Sequence, residues 1–194
     1  MRTLKTIDFK NIENIPQLIK DFVGKKIEGF EEFTFSKENF QKQIQKKKCF
    51  SDEQRKILFD EINTQLSELK LSDLQRENLE NLKNSQTFTI TTGHQLNLFT
   101  GPAFFIYKIL QTVKTCLYLK QEFPNQNFVP IYWMASEDHD FAEINHFKTK
   151  NGYYEINEKN GGAVGKIKLT DTHFISEFEK EFKDNIFGTE LILM

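Results

Sequence analysis

Between Phe88 and His146 the chain leaves little choice of fold. The residues read FTITTGHQLNLFTGPAFFIYKILQTVK, a linker, and then NFVPIYWMASEDHDFAEINH. Gln86 to Thr92 is rich in β-branched and aromatic residues and predicts a strand. Gly93 turns the chain, and a helix is expected from about Pro102 to Lys120, with the proline in its first turn. Its apolar residues, Phe104, Phe105, Ile106, Ile109, Leu110, Val113 and Leu117, cover a broad face. PNQN is a loop, and Phe128 to Ala135 is a nearly continuous apolar run, the pattern of a parallel strand covered on both faces. Strand, helix, strand is a βαβ unit, right-handed by the general rule. Each strand runs into a polar turn that carries a histidine. In open α/β sheets such turns, at the carboxyl ends of the strands, are where ligands bind.

The flanks are of other kinds. Ile15 to Phe22 suits a short helix with Pro16 near its start, and Gly24 and Gly29 then break the helical pattern. Ser36 is a plausible N-cap for KENFQKQIQKKK. Ser51 with Gln54, and Ser72 with Gln75, have capping-box spacing and open two further helices. Ile57, Leu58, Ile62, Leu66 and Leu69 recur at helical spacing. Short antiparallel packing and a coiled-coil pair both fit this region. After His146, Asn151-Gly152 lies between two short strand-like runs, a hairpin signal. Asn160, Gly161 and Gly162 turn the chain again before AVGKIKL, so a small antiparallel meander is expected. Thr170 or Asp171 can cap a last helix with Phe174, Phe178 and Phe182 on one face. The fold class is α/β: a partial Rossmann-like parallel core, an N-terminal helical region and a small antiparallel β insertion. The expected division is 1–84 mainly helical, 85–146 the βαβ part, and 147–194 the start of an inserted meander and helix. Two parallel strands do not build a doubly wound domain, so the apolar run ELILM reads as a chain cut rather than finished.

Composition narrows the function. A net charge of -2 gives no electrostatic case for nucleic acid. Lys46, Lys47 and Lys48 read as a solvated helix face. No apolar run approaches the roughly 18 residues of a membrane-spanning helix, and MRTLKTIDFKN lacks the apolar core of a signal peptide. A cytoplasmic location is expected. Cys49 and Cys116 lie far apart without CxxC spacing and read as free thiols, Cys116 within a core helix.

Two constellations can carry chemistry. In the first, Gly93 lets the backbone turn where the strand ends, and His94 and Gln95 project from the sheet edge. Thr100 and Gly101 precede a helix whose free N–H groups and dipole favour a phosphate or carboxylate. A loop histidine satisfied by backbone groups is the plainer reading. The second is Ser136-Glu137-Asp138-His139-Asp140. Glu137, Asp138 and Asp140 suit a substrate amine or sugar hydroxyls, with His139 as an acid or base. Asp138 or Asp140 could instead cap the next helix. If Asp138 starts a helical turn, His139, Glu143 and His146 share a face, which admits a metal site, although the spacing is not HExxH. Trp133 or Tyr132 can line the pocket, Trp133 being otherwise core. His173 reads as a surface or cap residue.

TTGHQLNLFTGPAFFIYKI and VPIYWMASEDHDFAEINHF together closely resemble the cysteine-adding enzymes of bacillithiol biosynthesis, the BshC family, and GAVGKIKL fits the same pattern. The resemblance is strongest over residues 86–169 and weaker over the helical N-terminal part. It implies a Rossmann-like core similar to class I aminoacyl-tRNA synthetases, with connecting insertions and a coiled coil near the C-terminus that supports a homodimer. The implied reaction adds L-cysteine to glucosaminyl malate. By analogy with other cysteine ligases, an ATP-dependent amide-forming step is implied; no metal is assigned. His94 and Gln95 match what looks like a displaced relative of the synthetase histidine signature. Glu137 to Asp140 match the family's acidic turn after the second strand. His94 and His139 are then the catalytic candidates; Gly93, Gln95, Thr100, Gly101, Trp133, Glu137, Asp138 and Asp140 are the substrate-binding candidates. Family members are much longer, so this chain resembles an N-terminal portion, expected to be inactive alone. The alternatives are a truncated, non-catalytic binding module and a metal-dependent hydrolase using His139, Glu143 and His146.

Overall fold

The computed structural model describes residues 6–99, 101–158, 161–170 and 172–192. Contacts divide the chain into two compact units, one of residues 1–88 with 122–127 and one of residues 89–121 with 128–194.

The first unit is helical: α1 (Gln17–Val23), α2 (Lys37–Lys47), α3 (Asp52–Gln65) and α4 (Asp73–Asn81). Their starts are those the sequence predicts. Pro16 precedes α1, Ser36 caps α2, and complete capping boxes open α3 at Ser51 and α4 at Ser72. Each box satisfies two otherwise orphaned N–H groups. The apolar stripe of α3 is only partly used. The helix stops at Gln65, and Ile57 and Leu69 are exposed. The buried residue of α3 is Arg55, which donates to the carbonyls of Leu82, Ser85 and Thr87 at 3.1–3.4 Å. A guanidinium has five donors, so one side chain can fasten the C-terminal end of α4 and the segment after it. Lys46 reaches Glu32, while Lys47 and Lys48 are exposed, as a solvated run should be.

Strands β1 (Thr87–His94) and β2 (Asn127–Met134) form a two-stranded sheet, with α5 (Ala103–Glu122) between them in sequence. Asn127 N–H donates to Gln86 O, and Ala135 N–H donates to His94 O. The partner number rises equally on both strands, so the pairing is parallel. Coverage is uneven. Phe128 and Val129 are buried, but the C-terminal end of β2 is exposed, and Trp133 is 59% exposed rather than core. Tyr107, Leu110 and Leu117 also leave an apolar stripe of α5 exposed. Cys116 is buried, and burial pushes its thiol up to about 11.

The second unit continues with α6 (Phe141–Ile144), β3 (His146–Lys148), β4 (Tyr153–Glu155), α7 (His173–Phe182) and α8 (Gly188–Ile192). The hairpin predicted at Asn151-Gly152 is present, with Phe147 opposite Tyr154. The expected meander is not. Among the described residues this sheet has two strands, and Val164–Lys166 is a 3-10 turn. Its N–H groups go elsewhere: Val164 donates to Asp138 O at 2.6 Å, and Gly165 donates to Ser136 O at 2.8 Å. Phe141, Ile144, Ile156 and Val164 form a buried cluster flanked by Leu96, Leu98, Ile167 and Phe174. The phenylalanine face of α7 is as expected, with Phe178 against Phe182 and Phe99. The cap is Thr172 rather than Thr170, whose hydroxyl and N–H bond Glu158; Asp171 and Asn160 lie outside the described residues. Glu181 accepts from Tyr154 and Thr149, tying α7 to the hairpin. The Tyr154 bond holds the Glu181 carboxyl below its ordinary value, and the same bond raises the Tyr154 phenol. His173 is exposed and faces Glu177 one turn on.

Candidate functional site

The turn after β1 is closely bonded, with Gln95 and the His94 side chain buried in it. Gly93 lies so near β2 that a Cβ there would stand 2.8 Å from Trp133 O and 3.0 Å from Trp133 Cβ. This proximity, not a special φ, is why glycine is needed. The His94 carbonyl accepts from Ala135 N–H and from the Tyr132 hydroxyl, both at 3.1 Å. Its side chain is only 6% exposed. The ring lies between Phe104 and Phe105, with centroids at 5.2 and 6.0 Å. Nδ1 stands 3.0 Å from Asn97 Nδ2 and 3.1 Å from Gln95 O, while Nε2 faces Glu143 Oε1 at 3.7 Å.

Gln95 is 3% exposed; its Nε2 donates to Glu143 Oε2, and its Oε1 has no partner among the described residues. Asn97 also donates to Gln95 O at 3.0 Å. Phe99 and Gly101 have positive φ, and a Cβ at Gly101 would meet Asn97 Cγ at 2.8 Å. Gly101 is therefore glycine for two reasons, the left-handed backbone and the space Asn97 occupies. Thr100 lies outside the described residues. Lys108, on the first turns of α5, donates to Gly93 O at 3.1 Å.

The turn after β2 is open. His139 is 87% exposed and nearest to Asp138, 3.9 Å away. Asp138 Oδ1 accepts from the N–H groups of His139 and Asp140, and Asp140 caps α6 by accepting from Glu143 N–H. Glu137 accepts from Trp133 Nε1 at 3.2 Å. The structure thus gathers His94 and Gln95 into one network with Asn97 and Glu143, beside Gly93, which packs against Trp133 and accepts from Lys108. It leaves His139 outside that network, and it uses Asp138 and Asp140 to shape the turn.

The face of His139, Glu143 and His146 is not formed. Helix α6 begins only at Phe141; Glu143 is turned to Gln95 and His94, and His146 Nδ1 meets Asn145 Oδ1 at 3.0 Å. Among the described residues no group of three His, Cys, Asp or Glu side chains could hold a metal ion. Nor is any helix among them long and apolar enough to cross a membrane.

Sequence reasoning misses Asn97 altogether and weighs Glu143 only as a metal ligand. Asn97 is three residues past His94 in a turn, where a short amide side chain readily bonds local backbone. That much is legible. The pairing of Glu143 with Gln95 spans 48 positions and has no local signature.

Comparison with known proteins bears on the chain as a whole. The family model for the N-terminal Rossmann-like domain of bacillithiol biosynthesis BshC matches residues 2–194. The "Putative cysteine ligase BshC" of Flavobacterium psychrophilum is 44% identical over 180 residues, covering 90% of this chain and 34% of that protein. The proteins of the same name from Flavobacterium johnsoniae and Christiangramia forsetii are 40% and 45% identical, covering 89% and 79% of this chain and 32% and 29% of theirs. The chain thus spans about a third of the length of these curated relatives. With a whole-chain match to its first domain, the chain belongs to the BshC family of bacillithiol biosynthesis.

Proposed function

We propose that this chain is the first part of a cytoplasmic ligase that adds L-cysteine to glucosaminyl malate. An amide forms between the cysteine carboxyl and the sugar amine. A carboxylate must be activated for that, and ATP is the proposed source. The long helix α5, with Lys108 on its first turns, offers N–H donors and a cation that suit phosphate. In this reading His94 is the acid–base group, with Gly93, Gln95, Thr100 and Gly101 binding the activated end. Glu137, Asp138, Asp140 and Trp133 bind the amine or hydroxyls, with His139 as a second acid–base candidate. The remaining two thirds of the longer protein completes the core and supplies the dimer contacts, and residues 147–194 begin an inserted module.

One observation carries the reading: a histidine with 6% exposure is held by Asn97 and Glu143 at the carboxyl end of a parallel strand pair. In the longer protein, His94→Ala should leave the fold intact, remove bacillithiol from cells and let glucosaminyl malate accumulate. Mass spectrometry of cellular thiols reads both. Normal bacillithiol with a folded His94→Ala protein ends the proposal.

A further inference from the structure

We propose that Glu143 is the positioning residue for His94 and Gln95, fixing which ring nitrogen carries the proton and which amide atom is left as an acceptor. The inference deepens the ligase reading in its functional arm, but its structural arm stands apart from it.

Around Glu143, donors and acceptors must complement one another. Glu143 Oε2 accepts from Gln95 Nε2, and Oε1 faces His94 Nε2 at 3.7 Å. An ionised carboxylate has only acceptors. It therefore demands the NH₂ of Gln95, since a flipped amide would set two oxygens against each other. Gln95 Oε1 then stays buried without a protein partner among the described residues, an acceptor that a substrate N–H or O–H can satisfy.

The same logic applies to the ring. With the proton on Nδ1, a bare Nε2 lone pair would face the Glu143 carboxylate, and the Asn97 NH₂ would face a donor. With the proton on Nε2, the N–H points toward Glu143, Nδ1 accepts from Asn97, and the second Asn97 hydrogen goes to Gln95 O. The other tautomer would instead pair Nδ1–H with Gln95 O at 3.1 Å; the Glu143 carboxylate beside Nε2 and the Asn97 NH₂ beside Nδ1 both weigh against it. Glu143 is held in place by its own backbone, whose N–H is capped by Asp140. It is also half-exposed, so a substrate can displace it.

The test is nitrogen-resolved NMR on the 194-residue chain, wild type against Glu143→Gln and Glu143→Asp. The wild type should show the Nε2–H pattern for His94. Glu143→Gln should mix the tautomers and speed exchange of the Gln95 side-chain amide by about tenfold, the loss of roughly one hydrogen bond. Glu143→Asp, with the carboxylate withdrawn by one carbon, should move both signals the same way but less. It serves as the test if Glu143→Gln fails to fold. Unchanged His94 and Gln95 signals in whichever folded variant is read overturn the proposal, whatever reaction the protein performs.

In the longer protein, Glu143→Gln should lower the rate of cysteine addition on the order of a hundredfold, with KM for both substrates little changed. A merely structural residue would not split the constants in that way, and an unchanged rate also overturns the proposal. A silent His94→Ala variant would instead sink the ligase reading, so the two failures are distinguishable.

Discussion

The two strand-end turns look alike in sequence and differ in construction. Each comes after an apolar strand, carries a histidine beside acids or amides, and precedes a helix. After β1, the turn is closed: His94 and Gln95 are buried, and their polar atoms meet Asn97, Glu143 and residues of β2. After β2, the turn is open: His139 is in solvent, and Asp138 and Asp140 bond nearby backbone. A histidine in a polar turn thus says little by itself. What separates the two is whether distant segments supply partners. Glu143 does so for the first turn, while Val164 and Gly165 brace only the backbone of the second.

The two turns should differ most at Gly93. A side chain there must enter space held by the backbone of Trp133, which cannot rotate away as a flexible side chain could. Gly93→Val should destabilise the chain by about 3 kcal/mol, the upper range for overpacking, or roughly 10 °C in thermal midpoint. Thermal unfolding followed by circular dichroism measures it. A midpoint within a degree of wild type would mean that the strands separate easily there, and that the first turn is not the rigid one.

Gly165 makes the parallel test for the second turn. A Cβ there would stand 2.6 Å from Ser136 Cβ and 3.0 Å from Ser136 O. Gly165→Ala should cost about 1–2 kcal/mol, less than at Gly93 because an exposed turn can shift. Adding Ser136→Gly removes the closest clash and should recover part of the loss, read from denaturant midpoints of the single and double variants. No recovery would show that the bracing of the acidic turn by residues 164–165 does not depend on this contact.

The range of each interaction decides how much of the fold and site is legible in the sequence. The three serine caps, the βαβ unit and the hairpin are readable because their signals lie within a few residues or in a repeated pattern. AVGKIKL fails as a strand because alternation over so short a run does not say which backbone it will bond. Here the donors go to Ser136 and Asp138, far back along the chain. Trp133 is expected either in a pocket or in the core, and it is largely exposed, because an apolar run predicts cover without saying what provides it. Gly93, His94 and Gln95 can be found from the strand-end rule. Asn97 and Glu143, which decide what those residues can do, are hidden by turn chemistry and by distance along the chain.

The smallest expected effect concerns how the two turns are linked. Asp140 belongs to the open turn by sequence, yet its carboxylate accepts from the N–H of Glu143, the residue that closes the other turn. Helix α6 has only four residues, so this cap is a large part of what fixes its start. Asp140→Ala should cost about 1 kcal/mol, the usual loss of an N-cap, whereas Asp140→Asn keeps an acceptor and should cost little. If the turns are coupled through this helix, the alanine variant should also speed exchange of the Gln95 side-chain amide, although nothing touching Gln95 has been removed. If stability falls while the Gln95 amide stays as protected as in wild type, Glu143 is held by the buried neighbours Phe141 and Ile144, and the open turn is only an entrance to the closed one.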